Sequence, residues 1–353
     1  MIMMCKIFFR LILALTLSLA GLTANADYIF SPLDTLGGTY GSANAISASG
    51  QVVGVSTDVN ESAFATFWSN GVLNLAPHGA TSSSANAINA SGQVVGAFNG
   101  INAFLWSNGS FVDLGPSGAA YSSANAINAS GQVVGVSNDG INLDHASLWS
   151  NGSYTDLGVT LVGVSSSANA INDAGQVAGH YTDSTGDHAI WWNNGVPMDL
   201  GVLGKAMGIN ASGQVVGYVD TTGQGDYSAT LWDNGVPTDL GAGVWSKAFG
   251  INASGQIVGI SGSSAALWSN GVLTDLNSLL SPTLVSDGWV LLQANAINDN
   301  GDIVGTAYNS VLGITSQAFL LSVASVPEGD PLVMLLIGLS FMCFIIRRQD
   351  IRT

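Results

Sequence analysis

The chain has 353 residues, of which only 8% are charged: 7 Lys and Arg against 23 Asp and Glu, a formal net charge of −16. That balance argues against nucleic acid, whose affinity rests on Lys and Arg neutralising phosphates, and it disfavours anionic lipid and strongly acidic polysaccharide. The two cysteines, Cys5 and Cys343, stand near the extreme ends, so disulfides do not stabilise the middle of the chain.

At the amino terminus Lys6 and Arg10 precede the apolar run Leu11 to Ala20, and Ala24-Asn25-Ala26 has the small-x-small pattern of a signal-peptidase site. Residues 1–26 therefore read as a secretory signal cut after Ala26. Five of the seven basic residues lie in the two ends, leaving Lys205 and Lys247 against 21 acidic residues between Asp27 and Gly329, a net charge of −19. A charge of that sign suits solubility after export.

Seven copies of a twelve-residue phrase follow: ANAISASGQVVG from Ala43, ANAINASGQVVG from Ala85 and Ala124, ANAINDAGQVAG from Ala168, AMGINASGQVVG from Ala206, AFGINASGQIVG from Ala248 and ANAINDNGDIVG from Ala294. The spacing between copies runs from 38 to 46 residues. A period near 40 fits a four-stranded propeller blade. In the unit from Tyr121 to Gly158, YSSANAIN predicts a first strand, Ala129-Ser130-Gly131 a turn, QVVGVS a β-branched second strand, HASLWS a third, Asn151-Gly152 a hairpin and SYTDLG a fourth. One such sheet cannot bury both its faces, whereas stacked sheets around an axis can.

Two side chains recur once per repeat. Trp68, Trp106, Trp149, Trp192, Trp232 and Trp268 mark the third strand; a sugar-binding stripe and blade packing both fit, and packing is preferred. Asp113, Asp156, Asp199, Asp239 and Asp275, with Asn74 once, mark the DLG piece. A carboxylate flanking a turn is read as an acceptor for backbone amides.

The array has complementary ends. YIFSPLDTLGG (Tyr28 to Gly38) looks like a fourth-strand piece with nothing before it, and SQAFLLSV (Ser316 to Val323) is a third strand with no fourth. Tyr28 to Leu36 is therefore expected beside the strand of Phe319 to Leu321. This expectation makes the fold an all-β, seven-bladed β-propeller closed by the amino-terminal strand, over residues 27–325. The variable connections fall after the second and the fourth strands, on one face of such a disk, where loops carry function. The longest departure, Asn277 to Gln293, falls there too.

Little chemistry is visible. The stretch from Asp27 to Gly329 contains no arginine, which removes a sialidase reading, and Glu61 is the only glutamate before Glu328, so a glutamate acid/base pair is unavailable. Among His78, His145, His180 and His188, the densest polar cluster is HYTDSTGDH, with His180, Asp183, Asp187 and His188. Its spacing matches no metal motif and reads as a solvated loop. Asp299-Asn300-Gly301-Asp302 superficially suggests calcium but overlays the ordinary repeat turn. No GxSxG elbow occurs in this stretch. No catalytic, metal or cofactor residues are assigned.

After the array, Val326-Pro327-Glu328-Gly329-Asp330-Pro331 leads into an apolar segment, Leu332 to Ile346, and then Arg347-Arg348. The segment predicts a short hydrophobic helix. It is brief for a full span of about 20 residues, and the arginines would stay on the cytoplasmic side. Residues 326–353 read as a sorting signal that is later cut, with a permanent membrane anchor as the alternative.

The repeat resembles the HAF family of extracellular repeats. The naming triplet is degenerate here, as HAS at His145, HAI at His188, NAF at Asn102, SAF at Ser62 and QAF at Gln317, while AINxxGQVVG, NG and DLG recur in fixed order. No catalytic residues come with that resemblance. The tail resembles a PEP-CTERM sorting signal: Pro327 and Glu328 match its motif and Gly329 replaces the second proline. This implies processing by an exosortase-like enzyme, transient or retained inner-membrane anchoring, and a cell-surface or matrix location in a bacterium that makes exopolysaccharide. The expected function is thus an exported, non-catalytic biofilm-matrix protein that binds glycan or protein through its variable loops. The alternative is a propeller hydrolase with aspartates in the central channel.

Overall fold

Asn-Gly pairs recur between the third and fourth strands of successive repeats, and their backbone explains why the chain turns there. Asn151 and Gly152 have φ of 50° and 76°, the left-handed pair that a two-residue hairpin requires. The computed structural model describes residues 28–324, apart from 78, 117–118, 139, 141–142, 159–162, 242 and 244. The signal segment and the residues expected to be processed (Ala26, Pro327, Glu328, Arg347 and Arg348) lie outside the described residues, as does the expected carboxy-terminal helix.

The fold is all-β, made of small antiparallel sheets that follow the repeats. The third repeat is typical: Ser122–Ile127 pairs with Val133–Asn138, that with Asp144–Ser150, and that with Ser153–Asp156. The second and sixth repeats form four-stranded sheets in the same order. The fourth and fifth are joined into seven strands because Val196–Ile209 is continuous, closing one repeat and opening the next. The seventh and first repeats share the largest sheet through a parallel contact, Tyr40 with Ser316.

The amino-terminal strand Tyr28–Pro32 pairs with Ile314–Val323, and Leu33 N donates to the Ala318 oxygen at 2.8 Å. Pairing stops there, earlier than the expected Leu36. Leu36 instead bridges to Asp58, and Gly37 opens the first strand of the first repeat. The first strand of the seventh repeat also starts earlier than the repeated phrase suggests, at Trp289. The stretch before it contains a 3-10 turn at Leu276–Leu279 and a five-residue helix at Pro282–Ser286, with Ser281 capping that helix.

Burial follows the repeat. Each apolar cluster draws on two neighbouring repeats: Val134 and Ala146 of the third pack with Ile171, Val177 and Trp192 of the fourth. Ile46, Val52 and Trp68 of the first pack with Val304 and Ala318 of the seventh. Every first strand carries an irregularity at its repeated alanine, as between Ala124 and Ala126. That brings its backbone so near the second strand that a Cβ on Gly135 would overlap the Ser123 carbonyl oxygen. The glycine of QVVG is therefore a close-approach residue.

Candidate functional site

The repeated side chains mostly belong to the framework. Trp68, Trp149, Trp192, Trp232 and Trp268 are buried and Trp106 is half-buried, each opposite the first residue of a second strand, as Trp149 is opposite Val133. In the seventh repeat Leu321 takes that place, opposite Ile303. Trp68 Nε1 donates to the Asp34 oxygen at 2.7 Å. Among the described residues the buried indole nitrogens of Trp149, Trp192, Trp232 and Trp268 have no protein acceptor.

The DLG aspartates accept from the amide two residues on: Asp113 from Gly115 at 2.9 Å, Asp156 from Gly158 at 2.7 Å, Asp199 from Gly201 at 2.7 Å, Asp239 from Gly241 at 2.8 Å and Asp275 from Asn277 at 2.9 Å. Asn74 does the same for Ala76 at 2.8 Å. Glu61 also serves the backbone. It accepts from the Thr39 amide and hydroxyl at 3.2 and 3.0 Å, and these bonds hold its carboxyl below the usual range.

Sequence reasoning gave no role to the asparagine of AIN, yet it fastens the repeats. Asn128 Oδ1 accepts from Gln132 N at 2.9 Å, and its Nδ2 donates to Gln132 Oε1 at 2.8 Å and to the main-chain oxygen of Asn172 at 3.1 Å. Asn89, Asn172, Asn210 and Asn252 each repeat the step to the following unit. Asn298 makes it back to Ser47 of the first unit, at 3.1 Å. Recurrence of Asn and Gln four apart was the available signal.

A second set of asparagines lies nearer the loop-bearing end of the first strands. Ser42, Ser84, Ser123 and Ser167 donate to Asn44, Asn86, Asn125 and Asn169 at 3.1 to 3.3 Å. Those asparagines donate in turn to Ala85, Ala124, Ala168 and Ala206. Asn295 donates to Ala43 at 2.7 Å. In the fifth and sixth repeats this Ser-x-Asn element is replaced by Lys205-Ala206-Met207 and Lys247-Ala248-Phe249.

The HYTDSTGDH segment is a hairpin, not the solvated loop expected. Its strands, Val177–Asp183 and Gly186–Asn193, pair down to Asp183 opposite Gly186, and alternation separates the cluster into two groups. In one, Asp187 Oδ2 pairs with Lys205 Nζ at 3.0 Å, Thr182 donates to Asp187 at 2.7 Å, and Lys205 Nζ lies 3.1 Å from His180 Nε2. Burial first, and the Lys205 ammonium second, hold the His180 imidazole down at about 4. In the other, Tyr181 stacks on His188 with ring centres 4.7 Å apart. His188 Nε2 meets Asp183 at 3.2 Å and Thr185 at 2.8 Å, and Tyr181 donates to Asp199 at 2.8 Å. Burial, and then that bond to Asp199, push the Tyr181 phenol up to about 12. Among the described residues no group of three or more His, Cys, Asp or Glu is placed to hold a metal. His145 pairs with Asp156 at 2.6 Å, and His78 lies outside the described residues.

Lys247 has different company. Its Nζ lies 4.0 Å from the Tyr227 ring centre and 4.6 Å from that of Tyr218. Just ahead of it stands Trp245, 58% exposed, with a left-handed φ of 69°. Trp245 is outside the repeat positions, and its only sequence signal was a tryptophan where no third strand falls. At the turn-bearing end, a small cleft between the fourth and fifth repeats is lined by Gln176, Trp191, Trp232 and Asn234, with no carboxylate.

No protein-family model matches the chain, and no curated protein matches it. Among solved structures it is similar to a lectin from Burkholderia pseudomallei, at 13% identity over 80% of this chain and 96% of that one, with a TM-score of 0.41. It is also similar to a triple arginine-to-alanine mutant of AofleA from Arthrobotrys oligospora, at 10% identity over 83% and 85% of the two chains, with a TM-score of 0.36.

Proposed function

We propose that this chain is a seven-bladed β-propeller that acts as a non-catalytic glycan-binding protein. Ring closure is supported by the bond from Asn298 to Ser47, by the pairing of Tyr28–Pro32 with Ile314–Val323, and by the cluster joining the first and seventh repeats. The observation that carries the glycan reading is the set of Ser–Asn pairs at the loop-bearing end of the first strands. Ser42 and Ser123 are buried, while Ser84, Ser167 and the four asparagines stay part-exposed. Neutral hydroxyl and amide groups both donate and accept, the mixture a polyhydroxylated ligand needs.

The carboxylates favour binding over hydrolysis. Glycosidases use two carboxyl groups flanking the scissile bond. Here the DLG aspartates and Glu61 are engaged by backbone amides. A glycan array probed with the full chain tests the reading, alongside release of reducing ends from the polysaccharides bound. Binding without release supports it; release at enzymatic rates replaces it with the hydrolase reading.

Export to the surface or matrix is part of the same proposal, resting on the basic-apolar amino terminus and the motif, apolar segment and arginines at the other end. The product would begin near Asp27 and end close to Glu328. Mass spectrometry of the protein from its native host decides this. An intact Arg347-Arg348 tail in the membrane fraction contradicts sorting by cleavage.

A further inference from the structure

Two repeats break the pattern of the other five. Where four repeats place serine, the fifth and sixth place Lys205 and Lys247, the only basic residues among those described apart from histidine. Lys205 is already matched by Asp187 at 3.0 Å. Lys247 has no carboxylate at ion-pair distance among the described residues and lies over the rings of Tyr218 and Tyr227. The neighbourhood therefore keeps one positive charge unanswered, within a chain that is otherwise strongly acidic.

Trp245, two residues earlier, supplies the second component. Its ring is exposed although its backbone is fixed: the Trp245 oxygen accepts from Gly262 N at 3.1 Å, and the next residue, Ser246, donates to the Gly243 oxygen at 2.9 Å and accepts from Ala229 N at 2.9 Å. A bulky residue in the left-handed region is strained and persists only where surrounding contacts impose it. An exposed indole carried on a fixed backbone is an apolar platform. Residues two apart are separated by at most about 7 Å of extended chain, so both side chains start from one short stretch of backbone.

We infer that Trp245 and Lys247 form a subsite for a single acidic sugar, with the indole under the pyranose ring and the ammonium on the carboxylate of a uronate. This rests on the loop end being the glycan-binding end. One unanswered charge accepts one carboxylate. A continuous polyanion is repelled by the surrounding acidic residues, so the ligand is an isolated or terminal uronate.

Calorimetric titration of the full chain with a methyl glucuronide, its neutral methyl glucoside twin and inorganic phosphate tests this. The glucuronide should bind at least tenfold more tightly than the glucoside, and added salt should narrow the gap. Trp245→Ala and Lys247→Gln should each weaken the glucuronide tenfold or more, while Lys247→Arg keeps most of the affinity. Equal affinity for the two sugars, unchanged affinity in Trp245→Ala or in a folded Lys247→Gln, or displacement of the glucuronide by equimolar phosphate overturns the inference. If Lys247→Gln fails to fold, Trp245→Ala carries the test, since its ring is already exposed. A glycan-array signal that survives both substitutions removes this subsite and leaves the glycan reading standing. Absence of any array signal removes both.

Discussion

Asn298 Nδ2 donates to the main-chain oxygen of Ser47 at 3.1 Å, across 251 residues of sequence. The same side chain donates to Asp302 Oδ2 at 3.0 Å and accepts from the amides of Asn300 and Asp302. Asn298→Ala removes these bonds, each worth about 0.5–1.5 kcal/mol net, while the Ser47 oxygen keeps the Gly50 amide at 3.0 Å. In a closed ring the loss should match that of Asn128→Ala, which makes the equivalent bonds between the third and fourth repeats. Urea midpoints of the two variants decide: a loss for Asn128→Ala with none for Asn298→Ala would mean an open stack.

The two kinds of tryptophan should separate cleanly. Trp149 is buried between repeats, so Trp149→Ala is expected to cost about 3–5 kcal/mol as an aromatic truncation. Trp245→Ala removes a ring that is already in water and should change stability by about 0.5 kcal/mol or less. Thermal melts of both variants, read beside glycan binding, check the pair of outcomes.

Removing residues 28–36 takes away the partner of Ile314–Val323, the carbonyl that Trp68 uses, and the contact of Phe30 with Trp289 at 5.0 Å. An unpaired strand edge templates association. Such a truncation should elute as soluble aggregate in size-exclusion chromatography, and a stable monomer would show that the strand is dispensable.

His180 makes stability depend on pH. Its folded value of about 4 lies below the ordinary 6.5, because burial and Lys205 oppose its protonation. The unfolded chain therefore binds more protons between these values, so this contribution is fully present above about pH 6.5 and is lost as pH falls towards 4. His180→Val, which copies Val55 at the same place in the first repeat, should flatten the decline in melting temperature over that window. An unchanged slope would assign the acid sensitivity to other groups.

The sequence by itself determined the repeat, its strand order and the functions of its turns. Asn-Gly and DLG are local signals, each read from backbone conformation or a bond spanning a few residues, and Asn151 and Asp156 behave accordingly. Periodicity also assigned the tryptophans to packing, and the complementary ends placed Tyr28 to Leu36 beside the strand of Phe319, where Tyr28–Pro32 does pair. What only the tertiary structure decided is where neighbouring repeats meet. The bond from Asn128 to Asn172 and the ion pair of Lys205 with Asp187 depend on strand registers in separate units, which no spacing along one unit encodes. The same holds for the HYTDSTGDH segment: its composition reads as a loop, but pairing with flanking strands makes it a hairpin and divides its charges between two groups. Trp245 was unreadable for the complementary reason. Exposure depends on what fails to pack against a ring, and that is settled only once every other side chain has its place.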